Sequence, residues 1–229
     1  MQLIFVRHAL PHRVRPSDLA DGGNADPGLT ELGERQAERL VGALRGDRVD
    51  GLYSSPLLRA QGTASPLAAA LDRTPRLVPG LREYDAGEKH YVPVHEMARA
   101  DPAAWERMRA GLLPPHIDAG AFRERVVTAV ESIVATHPGR KTAVLVAHAG
   151  VINIYLAYLL DISRTLAFPL DYTGITRVIA SRDGRRAVRT VNEIAHVTDL
   201  LATASTPDSP AASCEDEGAG CGRASGPRS

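Results

Sequence analysis

Five side chains stand where their types could act together: Arg7, His8, Arg59, Glu83 and His148. Each ends or follows a short apolar run of strand character. Arg7-His8 closes Leu3-Ile4-Phe5-Val6. Arg59 comes just after Gly51-Leu52-Tyr53 and the pair Ser54-Ser55. Glu83 follows Arg76-Leu77-Val78, and His148 closes the run from Thr142 to Ala147. Ligands of open α/β sheets bind beyond the carboxyl ends of the strands, so the spacing predicts that the five converge on one rim. Two guanidiniums are planar donor forks that match phosphate oxygens bidentately. A phosphoryl group in transfer keeps its charge on equatorial oxygens, and its catalysis is mainly positioning and charge stabilisation. A neutral imidazole attacks phosphorus in line, and nearby guanidiniums disfavour its protonated form. A carboxyl group kept protonated by its surroundings hands its proton to the leaving alkoxide, a contribution of about 10²–10⁴ in rate. Glu83 is the candidate for that role, and for deprotonating the water that follows.

Strands alternating with helices must position these groups. Thr30 can cap a helix in which Ala37, Leu40, Val41 and Leu44 share one face, with Gly46 as its stop. Ser55-Pro56 reads as an N-cap with Pro at the first helical position. The helix behind it carries Leu57, Ala60, Ala64, Leu67 and Leu71, and Pro66 should kink or shorten it. One helix is expected around Trp105. Phe122, Val126, Val130, Ile133 and Val134 define another, ended by Pro138-Gly139, and an apolar helix follows Gly150. Two strand-like stretches flank Asp183-Gly184, a hairpin signal. The pattern predicts an α/β fold with a mostly parallel sheet covered on both faces.

At the candidate residues the sequence resembles the histidine phosphatase superfamily, also called phosphoglycerate-mutase-like. The matching pieces are Val6-Arg7-His8-Ala9, then Gly28-Leu29-Thr30-Glu31-Leu32-Gly33, then Tyr53-Ser54-Ser55-Pro56-Leu57-Leu58-Arg59-Ala60 with Thr63-Ala64, then Leu81-Arg82-Glu83, and last Val146-Ala147-His148-Ala149-Gly150. They cover about residues 1–195 in the family's order. The resemblance implies a three-layer α/β/α sandwich that needs no cofactor, with His8 as nucleophile, Arg7, Arg59 and His148 as phosphate pocket, and Glu83 as proton donor. Two positions depart from the pattern: Ala9 and Ala149 stand where the family usually has Gly. The loop from Leu10 to Arg15 lacks the Glu-Ser/Thr-x-x-Asn pattern of the mutases, and their paired-arginine insertion after the acid is absent. The interval from Glu83 to His148 leaves space for a small cap only. A histidine acid phosphatase-type hydrolase of phosphomonoesters is favoured over mutase-type transfer, and over a phospho-ligand binding module that has lost catalysis.

Around this centre several residues stay open. His12, Arg13 and Arg15 form a basic run that either selects an anionic substrate or faces water. Arg82, His90, Tyr91 and Trp105 are candidates for a substrate cap, with packing the more ordinary role for Trp105. Asp85 and Glu88 compete with Glu83 for the acid. Capping accounts for Ser55 better than nucleophilic attack, because no G-x-S-x-G elbow surrounds it. His8 and His12 are four apart, but Pro11 and the end of the strand argue against a helical metal pair.

Composition bounds the partners. The 27 basic and 27 acidic residues cancel, so nothing global attracts nucleic acid or an anionic membrane. The longest apolar run, from Val151 to Leu160, is far short of the ~20 residues of a spanning helix. No secretion signal is legible, and the two cysteines, Cys214 and Cys221, lie near the end. Cytoplasm is the expected location and a small phosphorylated metabolite the expected partner; oligomeric state is open. The expected organisation is a catalytic domain over residues 1–200, with a cap insertion at about 88–119. A Gly/Ser/Ala/Pro-rich tail over 201–229 buries too little apolar surface to order itself.

Overall fold

A computed structural model describes residues 1–19 and 23–205 of the chain. Its six strands are β1 (Gln2–Arg7), β2 (Gly51–Ser54), β3 (Arg76–Leu77), β4 (Thr142–Ala147), β5 (Ile175–Ala180) and β6 (Arg186–Glu193). They form one sheet in the order β3-β2-β4-β1-β5-β6. The first four in that order run parallel, β5 runs antiparallel to β1, and β6 runs antiparallel to β5. The helices are α1 (Glu31–Ala43), α2 (Leu58–Ala70), α3 (Val94–Ala100), α4 (Pro102–Arg109), α5 (Ala119–Thr136), α6 (Ala149–Leu160) and α7 (Thr198–Ser205). The fold is α/β with three layers, and the alternation of strand side chains explains why. Successive residues of a strand face opposite sides. Leu3 and Phe5 of β1, with Ala143 and Leu145 of β4, pack against Val126, Val130 and Ile133 of α5 and Ile152 and Leu156 of α6. Ile4, Val6, Val144 and Val146 face the other way, onto Leu40 of α1 and Ala60, Ala64 and Leu67 of α2.

Several local expectations are corrected. Pro66 does not end its helix early, since α2 continues to Ala70. Its ring costs about 3 kcal/mol in a helix interior, but the buried face of Ala60, Ala64, Leu67 and Ala68 holds α2 on the sheet. Ser55 is no N-cap, because α2 starts at Leu58 with Leu57 as its cap residue. The carboxylate of Asp26, from a distant loop, accepts the Leu58 N–H at 2.9 Å instead. The single helix expected near Trp105 is two, α3 and α4, separated at Asp101, whose side chain accepts the Ala104 N–H at 3.0 Å. α1 stops at Ala43, ahead of Gly46, while Thr30 caps its start by accepting the Gly33 N–H at 3.0 Å. The hairpin turns at Gly184, whose φ of +89° only glycine adopts readily.

The tail expected over 201–229 falls mostly on residues 206–229, outside the described residues, together with both cysteines; α7 carries the chain to Ser205. Among the described residues no helix is long and apolar enough to cross a membrane.

The start of α1 is locked onto the loop after His8. The Leu10 carbonyl accepts from the Thr30 N–H at 3.0 Å and its hydroxyl at 3.1 Å, and the Leu10 N–H donates to Gln36 Oε1 at 2.9 Å. A Cβ on Gly33 would collide with that same carbonyl, a backbone atom that cannot swing aside. Alanine normally gains about 1 kcal/mol over glycine inside a helix. Here Gly33→Ala is expected to destabilise the fold by about 1–3 kcal/mol, the usual cost of overpacking, read as a lower urea midpoint. An unchanged or higher midpoint would show that α1 and the loop separate freely.

Candidate active site

β1, β2 and β4 end side by side, and their ladders continue one residue further. The His8 N–H donates to the Ala147 carbonyl at 2.9 Å, and the Ser55 N–H to the Val146 carbonyl at 2.9 Å. This brings His8 and His148 together with ring centroids 5.1 Å apart. Arg7, His8, Arg59 and Glu83 line one cavity of about 530 Å³. His148 is fully buried beside His8 and does not itself line it.

The His8 ring has a defined tautomer. Its Nδ1 lies 2.8 Å from the Ala9 carbonyl oxygen. A carbonyl can only accept, so Nδ1 carries the proton and Nε2 keeps its lone pair. Burial first, then the charges of Arg59 and Arg7, hold the imidazole well below its ordinary value of 6.5. Desolvation thus outweighs the guanidiniums, which sequence reasoning had put first. His148 is kept neutral in the same way, by burial and then by Arg59. Its Nε2 pairs with the Ser55 hydroxyl at 2.8 Å, and its Nδ1 has no hydrogen-bond partner among the described residues.

Both arginines are inside the protein, Arg7 6% and Arg59 1% exposed. Each lies over an aromatic face: Arg7 Cζ is 4.1 Å from the Tyr172 ring centroid and Arg59 Cζ is 4.7 Å from that of Tyr91. Arg7 Nη1 donates to the Leu170 carbonyl. Arg59 Nη2 donates to Asp85 Oδ1 at 2.8 Å, and Asp26 stands 4.0 Å from Nη1. These carboxylates offset part of the cost of desolvating Arg59. Arg7 Nε and Arg59 Nε and Nη1 are buried without a hydrogen-bond partner among the described residues, so both forks retain donors for an oxyanion. Thr63 ties α2 to the end of β1: its hydroxyl donates to the Arg59 carbonyl at 2.7 Å and accepts the Ala9 N–H at 2.8 Å.

Tyr172 arrives over Arg7 on an unusual turn. The buried Thr173 takes φ of 56°, a left-handed conformation rare for a β-branched residue. Its N–H donates to the Arg7 carbonyl at 3.1 Å, while the Arg7 N–H donates to the Gly174 carbonyl at 3.1 Å.

Glu83 sits at the start of α6. Its Oε2 accepts the Gly150 N–H at 2.8 Å and its Oε1 the Tyr84 N–H at 3.1 Å. Burial, and next the charge of Asp85, raise its carboxyl from an ordinary 4.5 to about 7. The competing carboxylates are engaged elsewhere, Asp85 on Arg59 and Glu88 on His116 at 2.9 Å. A side chain at Gly150 would strike Glu83 Oε1 and the Tyr84 ring, so glycine is required there by close approach. The alanines that depart from the family pattern carry no such strain: neither Ala9 nor Ala149 has a positive φ.

Of the proposed cap residues, Tyr91 and Trp105 line the cavity, but Arg82 and His90 do not, and neither does Arg13 of the basic run. Arg13 pairs with Glu96 of α3 at 2.8 Å, beside a two-residue bridge between Val14 and Tyr91. Arg82 follows the 3-10 turn Pro79–Leu81 with an exposed side chain, its carbonyl accepting from Arg125. His90 precedes Tyr91 in extended chain, and with Tyr91 turned inward it is left exposed. His12 is also exposed. Tyr172 and Asp26 were missed at the level of sequence, and Ser55 and Asp85 were given other parts. With six Tyr in the whole chain, one in the loop Leu170-Asp171-Tyr172-Thr173-Gly174 was the available signal. Among the described residues no group of three or more His, Cys, Asp or Glu is placed to hold a metal ion.

Comparison with known proteins identifies the family. The family model described as histidine phosphatase superfamily (branch 1) matches residues 3–194. The chain is 28% identical over 213 residues to phosphoserine phosphatase 1 of Hydrogenobacter thermophilus, covering 89% of this chain and 98% of that protein. It is 40% identical over 84 residues to the PE-PGRS family protein PE_PGRS11 of Mycobacterium tuberculosis, covering 36% of this chain and only 14% of that relative. A crystal structure of phosphoserine phosphatase from Entamoeba histolytica, in complex with 3-phosphoglyceric acid, superposes with a TM-score of 0.65 at 25% identity, covering 86% of this chain and 98% of that one. Proteins named as probable phosphoglycerate mutases match as well. With its two histidines and two arginines gathered at the carboxyl edge of the sheet, the chain belongs to the histidine phosphatase superfamily, branch 1.

Proposed function

We propose that this chain hydrolyses phosphomonoesters of small metabolites through a phosphohistidine on His8. The observation that carries the reading is the His8 ring: its Nδ1 proton is held by the Ala9 carbonyl, which leaves a neutral Nε2 beside two buried guanidiniums. Arg7 and Arg59 bind the phosphoryl oxygens, with the neutral His148 ring buried beside His8. Nε2 forms a bond to phosphorus as the P–O bond to the leaving group breaks, and the Glu83 carboxyl gives its proton to the departing oxygen. Glu83, now a carboxylate, takes a proton from water. The water oxygen bonds to phosphorus, the P–N bond breaks, and its electron pair returns to His8. No step calls on a metal or organic cofactor.

The test is turnover of an aryl phosphate in EDTA, with phosphate release followed in the absence of any bisphosphate primer. A strict need for a primer would mark a mutase. Tight phosphate binding with no turnover on a broad ester panel would mark a binding module.

Ser55 is proposed to orient His148, a role its 2.8 Å contact supports. Ser55→Ala is expected to lower kcat/KM about 10–10²-fold through misplacement of that ring, with the circular dichroism spectrum retained. Wild-type kinetics in this variant would mean that the hydroxyl does not position the imidazole.

A further inference from the structure

Beyond the phosphate-binding rim the cavity changes chemistry. Its outer wall is built by α3, α4 and the loop before β5, with Val94, Met97, Trp105, Met108, Leu166 and Phe168. The Asn153 and Asp171 side chains in that wall are already bonded within the protein. The Asn153 amide donates to the Ala149 and Phe168 carbonyls at 3.0 Å each and accepts the Phe168 N–H at 2.8 Å. Asp171 Oδ2 accepts from Asn192 Nδ2 at 2.7 Å. The His95 ring stands edge-on to Tyr172 at 6.4 Å, with its Nε2 3.9 Å from Glu96. Apart from Arg7 and Arg59, the one lysine or arginine among the described lining residues is Arg109, an exposed side chain held by Glu106 at 3.0 Å. Arg13, the other candidate cation, is tied to Glu96 away from the cavity.

A leaving group that carries its own carboxylate finds poor compensation on such a wall, and desolvating an unpaired charge is costly. An apolar body gains from the same surface. A cavity of about 530 Å³ lies within the range of about 300–1,000 Å³ that encloses ligands of ordinary organic size. We infer that the substrate is the phosphomonoester of an apolar alcohol, aryl or extended alkyl, whose uncharged body lies against Trp105, Met97 and Phe168. This inference rests on the phosphohydrolase reading above and narrows it.

The experiment uses n-alkyl phosphates from ethyl to hexyl, whose leaving alcohols are nearly equal in basicity. Differences in kcat/KM then report how the chain is bound. Each added methylene is expected to raise kcat/KM about fourfold, and hexyl over ethyl on the order of 10²-fold. 1-Naphthyl phosphate is expected to outpace phosphoserine and 3-phosphoglycerate. Trp105→Ala should bring the hexyl-to-ethyl ratio down toward one. Met97→Gln, on the neighbouring helix and similar in length, should do the same without removing a large side chain from the cap. A flat chain-length profile overturns the apolar class and leaves the hydrolase reading standing, as does faster turnover of phosphoserine or 3-phosphoglycerate than of hexyl phosphate. No turnover of any of these esters overturns both.

Discussion

His8→Ala is expected to abolish catalysis, with kcat down on the order of 10⁴–10⁶-fold and no acid-labile phosphate retained on the protein after quenching. The size of the effect follows from what remains. The other groups at the rim bind and polarise a phosphoryl group, but none of them offers a neutral, tautomer-defined nitrogen bordering the cavity. Arg7 and Arg59 keep their unbonded N–H groups in the variant, and inorganic phosphate should still bind within about tenfold of wild type, a loss on the scale of one hydrogen bond. The substitution removes a neutral ring and orphans no buried charge, so the fold should persist. Rapid-quench labelling with radioactive phosphoester, beside equilibrium phosphate binding, separates the two effects. Full turnover by the variant would end the nucleophile assignment. The wild-type pH profile carries a related expectation: with the imidazole held well below 6.5, loss of activity through protonation of His8 should begin only below that pH.

Glu83→Gln is expected to lower kcat/KM for alkyl phosphates about 10²–10⁴-fold, the range for general acid catalysis. For 4-nitrophenyl phosphate the first step should suffer far less, because that leaving group departs without a proton. Dephosphorylation then becomes limiting, and a burst of nitrophenol followed by a slow phase is the signature. With the carboxyl raised to about 7, wild-type kcat/KM should fall as pH rises through about 7, while the variant loses that limb. Equal loss on alkyl and aryl esters, with no burst, would deny Glu83 the proton.

The same group links pH to stability. The native carboxyl lies above its ordinary 4.5, so between about 4.5 and about 7 the native state binds more protons than the unfolded chain. The contribution of Glu83 is fully present below 4.5 and is lost as pH rises through about 7. Urea midpoints of wild type should fall across that window more steeply than those of Glu83→Gln, which cannot ionise. Gln also replaces one of the two acceptors used by Gly150 and Tyr84, so the slope carries the result.

What sequence by itself determined is whatever local pattern can encode. Alternation in Leu3-Ile4-Phe5-Val6 and in Thr142 to Ala147 marks buried strands, and residues directly after a buried strand emerge at its end. That is why Arg7, His8 and His148 were legible, and why the layered α/β architecture followed. Side-chain partners are a different matter, because they depend on segments far apart in the chain. Glu83 and Asp85 are two residues apart and chemically alike; one meets backbone N–H groups in a dry corner and the other meets Arg59. Only the fold separates the two by a physical cause, since burial raises the proton affinity of Glu83. Tyr91 and Tyr172 reach the arginines from the cap and from a strained turn before β5, and no period of 2 or 3.6 connects them. Arg13 and His90 looked suited to a pocket because charge is visible in sequence, whereas the direction a loop side chain takes is set by what packs against it: Glu96 draws Arg13 away, and the inward turn of Tyr91 leaves His90 facing out. Pro66 and Ser55 make the same point from inside the elements. Local propensity would have broken the helix or capped it, and long-range packing together with Asp26 overrode both, while the Ser55 hydroxyl accepts the Leu57 N–H and pairs with His148.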